Sequence, residues 1–234
     1  MNVYPNASAM RHLETWQSAV SENLAAGQQT GYKAIQVALE KPGPSASGKV
    51  LPMVADQNRD FSQGTLRRTD RSLDVALTQE GFLVGLANPE TPVLYRNGAL
   101  QVNADGILVT SDGRPIDGLD GPIQIVPEQE DPRIDENGEV WQGPTSIGRV
   151  RIVQPSDPDA LLYDGSGWRL PEGGGVDLEN LEEPLLQPGF LEEGNFSSLT
   201  SMVSFIQISR AFEANQKAIH TADEMIDRTI RAYQ

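Results

Sequence analysis

The chain has 234 residues, 38% of them hydrophobic, which is enough for a core, and it has no cysteine, so disulfides and thiol chemistry are excluded. Its 33 acids against 18 bases leave a net charge of −15. That excludes nucleic acid, whose phosphates need clustered Lys and Arg to displace counterions, and argues equally against an anionic membrane surface.

Residues from about Ala7 to Ala26 lack Pro and Gly and place Met10, Leu13, Trp16, Val20 and Leu24 three and four apart, the spacing of one helical face. Asn6 or Ser8 is the expected cap and Gly27 the expected stop. The opening residues lack the basic lead-in and apolar run of a secretory signal peptide, and no stretch is apolar for long enough to span a bilayer. The run KPGPSASGKVLP, Lys41 to Pro52, is too rich in Pro, Gly and Ser for regular structure, so residues 34–60 read as a linker.

The middle of the chain, roughly Asp60 to Leu186, reads as β. SLDVALTQEGFLVGL alternates Leu73, Val75 and Leu77, then Phe82 and Val84, about a Gly-containing turn. VLYRNGALQVNADGILVTSDGRPI follows, punctuated by Asn97-Gly98, Asp105-Gly106 and Asp112-Gly113, pairs that supply the positive φ of tight hairpin turns. Their spacing predicts a meander of short antiparallel strands. IGRVRIVQP, Ile147 to Pro155, reads as one further strand, and strand signals fade after GWRLPEGGG. From Glu128 to Glu193 sixteen acids face four arginines and no lysine, whereas Leu199 to Gln234 has four acids and four bases. The acidic block reads as a solvated face, and the neutral end as the part that associates.

The last zone is helical from about Ser197. Phe205, Phe212, Ile219, Ile226 and Tyr233 recur every seven residues, with Ile208, Asn215, Ala222 and Thr229 three later. A straight helix drifts out of phase with a seven-residue repeat, so a repeat held over four heptads implies a supercoiled partner. The two helical ends are therefore expected to pair with each other or with the ends of other copies. Polar Asn215 and Thr229 in the seam would set register more than stability.

No catalytic constellation emerges. The only histidines are His12 and His220, one in each helical zone, too few for a metal site. RIDENGEVW has the middle of a calcium loop at Asp135, Asn137 and Gly138, but Arg133 and Pro144 stand at its first and last ligand positions. GSGWRL has Leu170 where a dinucleotide loop needs glycine, and neither Gly-x-Ser-x-Gly nor a Walker sequence is present. Trp141 and Trp168 suit core or turn packing better than a sugar platform. Catalytic, cofactor-binding and metal-binding residues are therefore expected to be none.

The C-terminal stretch resembles the bacterial flagellar rod and hook proteins, the axial proteins of the basal body. It carries Ile206, Gln207, Arg210, Phe212, Glu213, Asn215, Lys217, Ile219, Thr221, Asp223 and Met225 in that family's order. GFLEEGN, Gly189 to Asn195, is similar to the segment that precedes it, with Gly194 where Ser is usual. NLAAGQQTGYK resembles the family's motif after the first helix through Asn23, Thr30, Gly31 and Lys33, with Ala26 for a second Asn and Tyr32 for Phe. LDVALTQEGFLVGL and LYRNGALQVNADGILVTSDGRPI resemble its central core and hairpin.

The resemblance implies an α+β fold: N- and C-terminal helices pairing as a coiled coil, with a central, mainly antiparallel β domain. The expected divisions are 1–33 for the first helix, 34–60 for the linker, 61–186 for the β domain and 187–234 for the second helix. It implies a structural subunit of the basal-body rod, most like the proximal-rod type. Such a subunit is exported through the flagellar export apparatus without a cleaved signal, and it partners its own copies and other axial proteins in the periplasm. Its implied assembly interface is Met10, Leu13, Trp16, Val20 and Leu24 with Phe205, Ile208, Phe212, Asn215, Ile219, Ala222, Ile226 and Tyr233. The rival reading is an oligomeric β-domain binding module for carbohydrate or protein, with helical ends that only oligomerise it.

Overall fold

A computed structural model describes residues 4–27, 29–39, 55–88, 91–127 and 129–232. The chain forms two compact units, one joining Met1–Gly27, Ala34–Asp60 and Phe196–Gln234, the other joining Gln28–Lys33 to Phe61–Asn195.

The first unit is built on two helices, α1 (Tyr4–Ala25) and α2 (Ser198–Ala232). α1 begins earlier than its capping residues suggested, so Asn6 and Ser8 lie inside its first turns. Ser197 caps α2, its Oγ and carbonyl accepting from the N–H groups of Thr200 and Ser201. A Cβ built on Gly27 would lie 3.5 Å from both the Phe196 ring and Ser198 Oγ. The end of α1 is thus beside the start of α2, and the helices run antiparallel. Leu13, Val20 and Ile208 are the buried centre of their contact, flanked by Trp16, Phe205, Ala211 and Phe212. Strands β1 (Ile35–Leu39) and β2 (Ala55–Arg59) pair antiparallel beside α1. The segment expected as a linker thus carries strands at both ends, and Lys41 to Pro52 lies outside the described residues.

The second unit centres on a six-stranded antiparallel sheet. Its order is Leu162–Tyr163, Trp168–Arg169, Thr91–Tyr95, Phe82–Asn88, Ile152–Pro155 and Leu178–Asn180. Alternate residues enter two different cores. Leu83, Val93, Tyr95 and Ile152 point to the larger, and Phe82, Val84, Leu94, Val153 and Trp168 to the smaller. Both faces being covered, the central strands read as unbroken apolar runs instead of half-polar ones.

Several strands pair differently from the sequence expectation. Val75–Leu77 pairs with Leu186–Pro188, 109 residues away at Leu77↔Leu186, and not with Phe82–Asn88. Thr91–Tyr95 pairs with Phe82–Asn88 and Trp168–Arg169, so the meander proper starts only at Gln101–Val102. Asn97-Gly98 is not a hairpin turn. A Cβ on Gly98 would stand 1.9 Å from the Val75 carbonyl oxygen, so Gly is there for close backbone approach, locked by the Val75 N–H to Gly98 carbonyl bond. The expected single strand at Ile147 to Pro155 breaks at Val150 and Arg151, into Thr145–Arg149 and Ile152–Pro155 with different partners. Strands also continue beyond GWRLPEGGG, through Leu178–Asn180, Leu186–Pro188 and Phe190–Glu192.

Three hairpin turns share one design. Asn103 Oδ1, Thr110 Oγ1 and Asp135 Oδ1 each accept the N–H four residues on, from Ile107, Arg114 and Glu139. Gly106, Gly113 and Gly138 sit between at φ 77°, 85° and 79°, the bulged position of a three-residue loop. The would-be calcium loop is the third of these: Asp135 also accepts from Trp141 Nε1 at 2.9 Å, so its carboxylate is spent on the turn. Trp168 is a core residue of the smaller cluster.

Candidate assembly surface and its buried clamp

The residues Gln28–Lys33, which follow α1, belong to the β unit. Gly31 has φ 70°, and a Cβ there would meet the Asn97 nitrogen at 2.5 Å, so only Gly lets the chain pass. Its N–H donates to the Glu192 carbonyl at 2.7 Å. Two residues on, Lys33 Nζ donates to Glu192 Oε1 at 2.8 Å and to the Ser62 carbonyl at 2.6 Å. Glu192 Oε2 accepts from Arg96 Nε at 2.5 Å, and Oε1 also accepts from the Gly64 N–H. Arg96 donates onward to the carbonyls of Gln79, Gly81 and Leu77. All three charged side chains are almost completely buried. A buried charge is tolerable only when it is paired and hydrogen-bonded, and here both carboxylate oxygens and both cations are. One carboxylate therefore holds together the segment leaving α1 and the strand Phe190–Glu192 leading to α2. Lys33 was legible as a motif residue. Glu192 and Arg96 also stood within segments that resemble the family, GFLEEGN and LYRNGALQVNADGILVTSDGRPI, but neither was assigned a role.

The other motif residues separate. Asn23 is buried, and its side-chain amide bonds both the N–H and the carbonyl of Ile35 at 2.9 Å, mimicking a neighbouring strand for β1. Thr30 is half-buried, while Arg210, Glu213 and Lys217 are exposed on α2. Of the expected assembly residues, Leu13, Val20 and Ile208 are buried between α1 and α2, with Trp16, Phe205 and Phe212 packed against them. Met10, Leu24, Asn215 and Ile219 are half-buried, and Asn215 Nδ2 donates to the Ala211 carbonyl at 3.0 Å. The side chains of Ala222 and Ile226, and Tyr233, lie outside the described residues.

A second polar cluster pins the loop at Asp164 to the turn at Asp112. Tyr95 Oη donates to Asp112 Oδ2 at 2.9 Å, and Ser166 and Thr110 hydroxyls donate to the same carboxylate. Arg114 bonds Tyr95 Oη and Asp164, and Arg169 bonds Asp164 at 2.8 Å. Burial alone would raise both carboxyls. The hydroxyls of Thr110, Ser166 and Tyr95 hold Asp112 below its ordinary 3.8, and the Gly167 and Ser166 N–H groups with Arg169 and Arg114 hold Asp164 well below it. Burial and the adjacent Asp112 push the Tyr95 phenol above its ordinary 10.0. The lowered carboxyls stabilise the β unit above about pH 3.8, and that stabilisation is lost as pH falls further. The raised phenol stabilises it below pH 10.0, and that is lost as pH rises. Urea midpoints of Asp164→Asn against wild type are therefore expected to differ most at pH 7 and to draw together progressively as pH falls below 3.8; a gap that does not shrink in acid would refute the assignment.

Among the described residues no group of three or more His, Asp or Glu is placed to hold a metal, and no helix is long and apolar enough to cross a membrane. His12 stacks on Trp16 within α1, and His220 lies 3.4 Å from Glu224 within α2.

Comparison with known proteins places this architecture. A family profile described as the flagellar basal body rod FlgEFG protein C-terminal matches residues 187–232. One described as the flagellar hook protein FlgE/F/G D1 domain matches residues 76–142. The flagellar basal-body rod protein FlgF of Salmonella typhimurium is 30% identical over 238 residues, covering 95% of this chain and 94% of the relative. FlgF of Caulobacter vibrioides is 27% identical, with 95% and 94% covered, and the rod protein FlgG of Borreliella burgdorferi is 27% identical, with 94% of each covered. The matches run through the helices, the clamp and the antiparallel core alike, and this chain belongs to the flagellar basal-body rod protein family.

Proposed function

We propose that the chain is a structural subunit of the flagellar basal-body rod, many copies of which pack through their terminal helices to form the axial drive shaft. The observation that carries this reading is similarity over nearly its whole length to proteins named for that rod. The shared apolar cluster of α1 and α2 supports it, because it makes the two ends of the chain one helical element. In this reading the seven-residue repeat from Phe205 onward is an antiparallel coiled coil with α1. Its later positions, Ile219, Ala222, Ile226 and Tyr233, extend toward neighbouring subunits. The protein acts by rigidity and not by catalysis. It is of the proximal-rod type, leaves the cytoplasm through the flagellar export apparatus, and works beside other axial proteins in the periplasm.

Deleting the gene tests the proposal. Basal bodies from the deletion strain are expected to lack a complete rod by electron microscopy, with motility abolished and restored by the wild-type gene. Normal rods and swimming in the deletion strain would overturn it.

A further inference from the structure

A motif that the rod reading leaves unused is the turn DENGE, Asp135 to Glu139. It contains Asn137-Gly138, one of only two Asn-Gly pairs in the chain, the other being Asn97-Gly98. Such a pair is chemically labile. Glycine has no Cβ to shield its nitrogen, so that nitrogen can reach the preceding side-chain amide. The fold treats the two pairs differently.

Asn97 is tied at both ends of its side chain. Its Nδ2 donates to Ser111 Oγ at 3.2 Å, and its Oδ1 accepts from the Ala99 N–H at 3.0 Å. Gly98 is pressed against Val75, whose N–H donates to the Gly98 carbonyl at 3.0 Å. Asn137 is exposed, and among the described residues its side chain makes no hydrogen bond. Only its backbone is held, the N–H by Asp135 Oδ1 and the carbonyl by Arg149 Nε, both at 2.9 Å. The Gly138 N–H donates to the Asp135 carbonyl at 3.1 Å, so a brief opening of this one turn frees the nitrogen. Loosening Asn97-Gly98 instead disturbs Val75, a residue of the larger core.

We propose that Asn137 is a modification site, at which the chain spontaneously deamidates and forms isoaspartate, while the fold protects Asn97. The Gly138 nitrogen attacks Asn137 Cγ, the Cγ–Nδ2 bond breaks, and the nitrogen's proton leaves with the amide group as ammonia. Water then opens the cyclic imide at either carbonyl. Opening at Cγ gives aspartate on an unaltered main chain. Opening at the former backbone carbonyl gives isoaspartate, with an extra methylene in the main chain. Water is consumed, ammonia is released, and no electron is transferred. Both products add a negative charge beside Asp135, Glu136 and Glu139. In isoaspartate the acceptor of Arg149 becomes a free carboxylate, and Gly138 is carried away from its bonds to Asp135 and Val150. The hairpin joining Pro132–Ile134 to Glu139–Gln142 loosens, and Trp141, bonded to Asp135 Oδ2, reports it. The inference depends on this turn alone and not on the rod reading.

The test incubates the purified full chain in warm, mildly alkaline buffer and follows both pairs by peptide mapping. Electron-transfer fragmentation distinguishes isoaspartate from aspartate. Asn137 should convert about tenfold or more faster than Asn97, with isoaspartate among its products. In guanidinium, where the fold is gone, the two rates should come within about threefold of each other. Asn137→Gln should abolish the slow drift of tryptophan fluorescence that accompanies the conversion. Equal rates in the folded chain, a ratio that survives guanidinium, or conversion at Asn137 without isoaspartate would each overturn the proposal. So would an identical fluorescence drift in Asn137→Gln.

Discussion

Replacing Glu192 by Ala is expected to cost the β unit about 3–5 kcal/mol, because it strands two buried cations beside each other with no anion. Against a typical stability of about 5–15 kcal/mol that is a large fraction of the whole. Urea unfolding followed by tryptophan fluorescence reads it, since Trp168 lies in the core of the same unit. The order of variants carries the mechanism. Lys33→Met should cost less than Glu192→Ala, because Arg96 and the Gly64 N–H still satisfy the carboxylate. Glu192→Gln should fall between, keeping the shape but losing the charge. Removing the exposed Arg68–Asp70 pair should change stability by less than about 1 kcal/mol, because both groups are well solvated. Equal effects for Glu192→Ala and Arg68→Ala would mean that the clamp carries no weight.

Ile208→Asp is expected to separate the two units in their response. Ile208 is fully buried at the centre of the α1–α2 cluster, and a carboxylate there loses the apolar contact and gains only apolar neighbours. The helical unit should lose roughly 4 kcal/mol or more, enough to melt it, whereas Ile208→Val should cost only about 1 kcal/mol. Limited proteolysis should then strip both helical ends and leave a resistant core comprising residues 28–33 and 61–195. Circular dichroism should lose helical signal while the urea transition of the β unit stays in place. A variant that remains helical and protease-resistant through its termini would show that the cluster does not hold the helices together.

How much was legible in the sequence depended on how local the deciding interaction is. The two helices were plain, because a face repeating every three to four residues needs no knowledge of the rest of the chain. The turns at Gly106 and Gly113 were plain for the same reason: the side-chain acceptor and the positive-φ glycine lie within one short loop. Asn97-Gly98 looked the same and was not, because its glycine answers to Val75, a strand away. The clamp was half visible. Lys33 stood in a recognisable motif, but that its charge is buried, and that Glu192 and Arg96 complete it, depends on segments 159 and 96 residues apart in the chain.

Composition, charge and heptad spacing by themselves determined that this chain has helical, uncharged-to-neutral ends, an acidic β middle and no recognisable catalytic motif. Its motifs, taken in order, were enough for the family. Only the tertiary structure decided which strands pair, that the central sheet is covered on both faces, and that Phe205, Ile208 and Phe212 of α2 pack against Leu13, Trp16 and Val20 of α1. The reason is physical. Periodicity records that a side chain is shielded from water, and it is silent about what does the shielding; that is settled by packing between residues far apart in the chain.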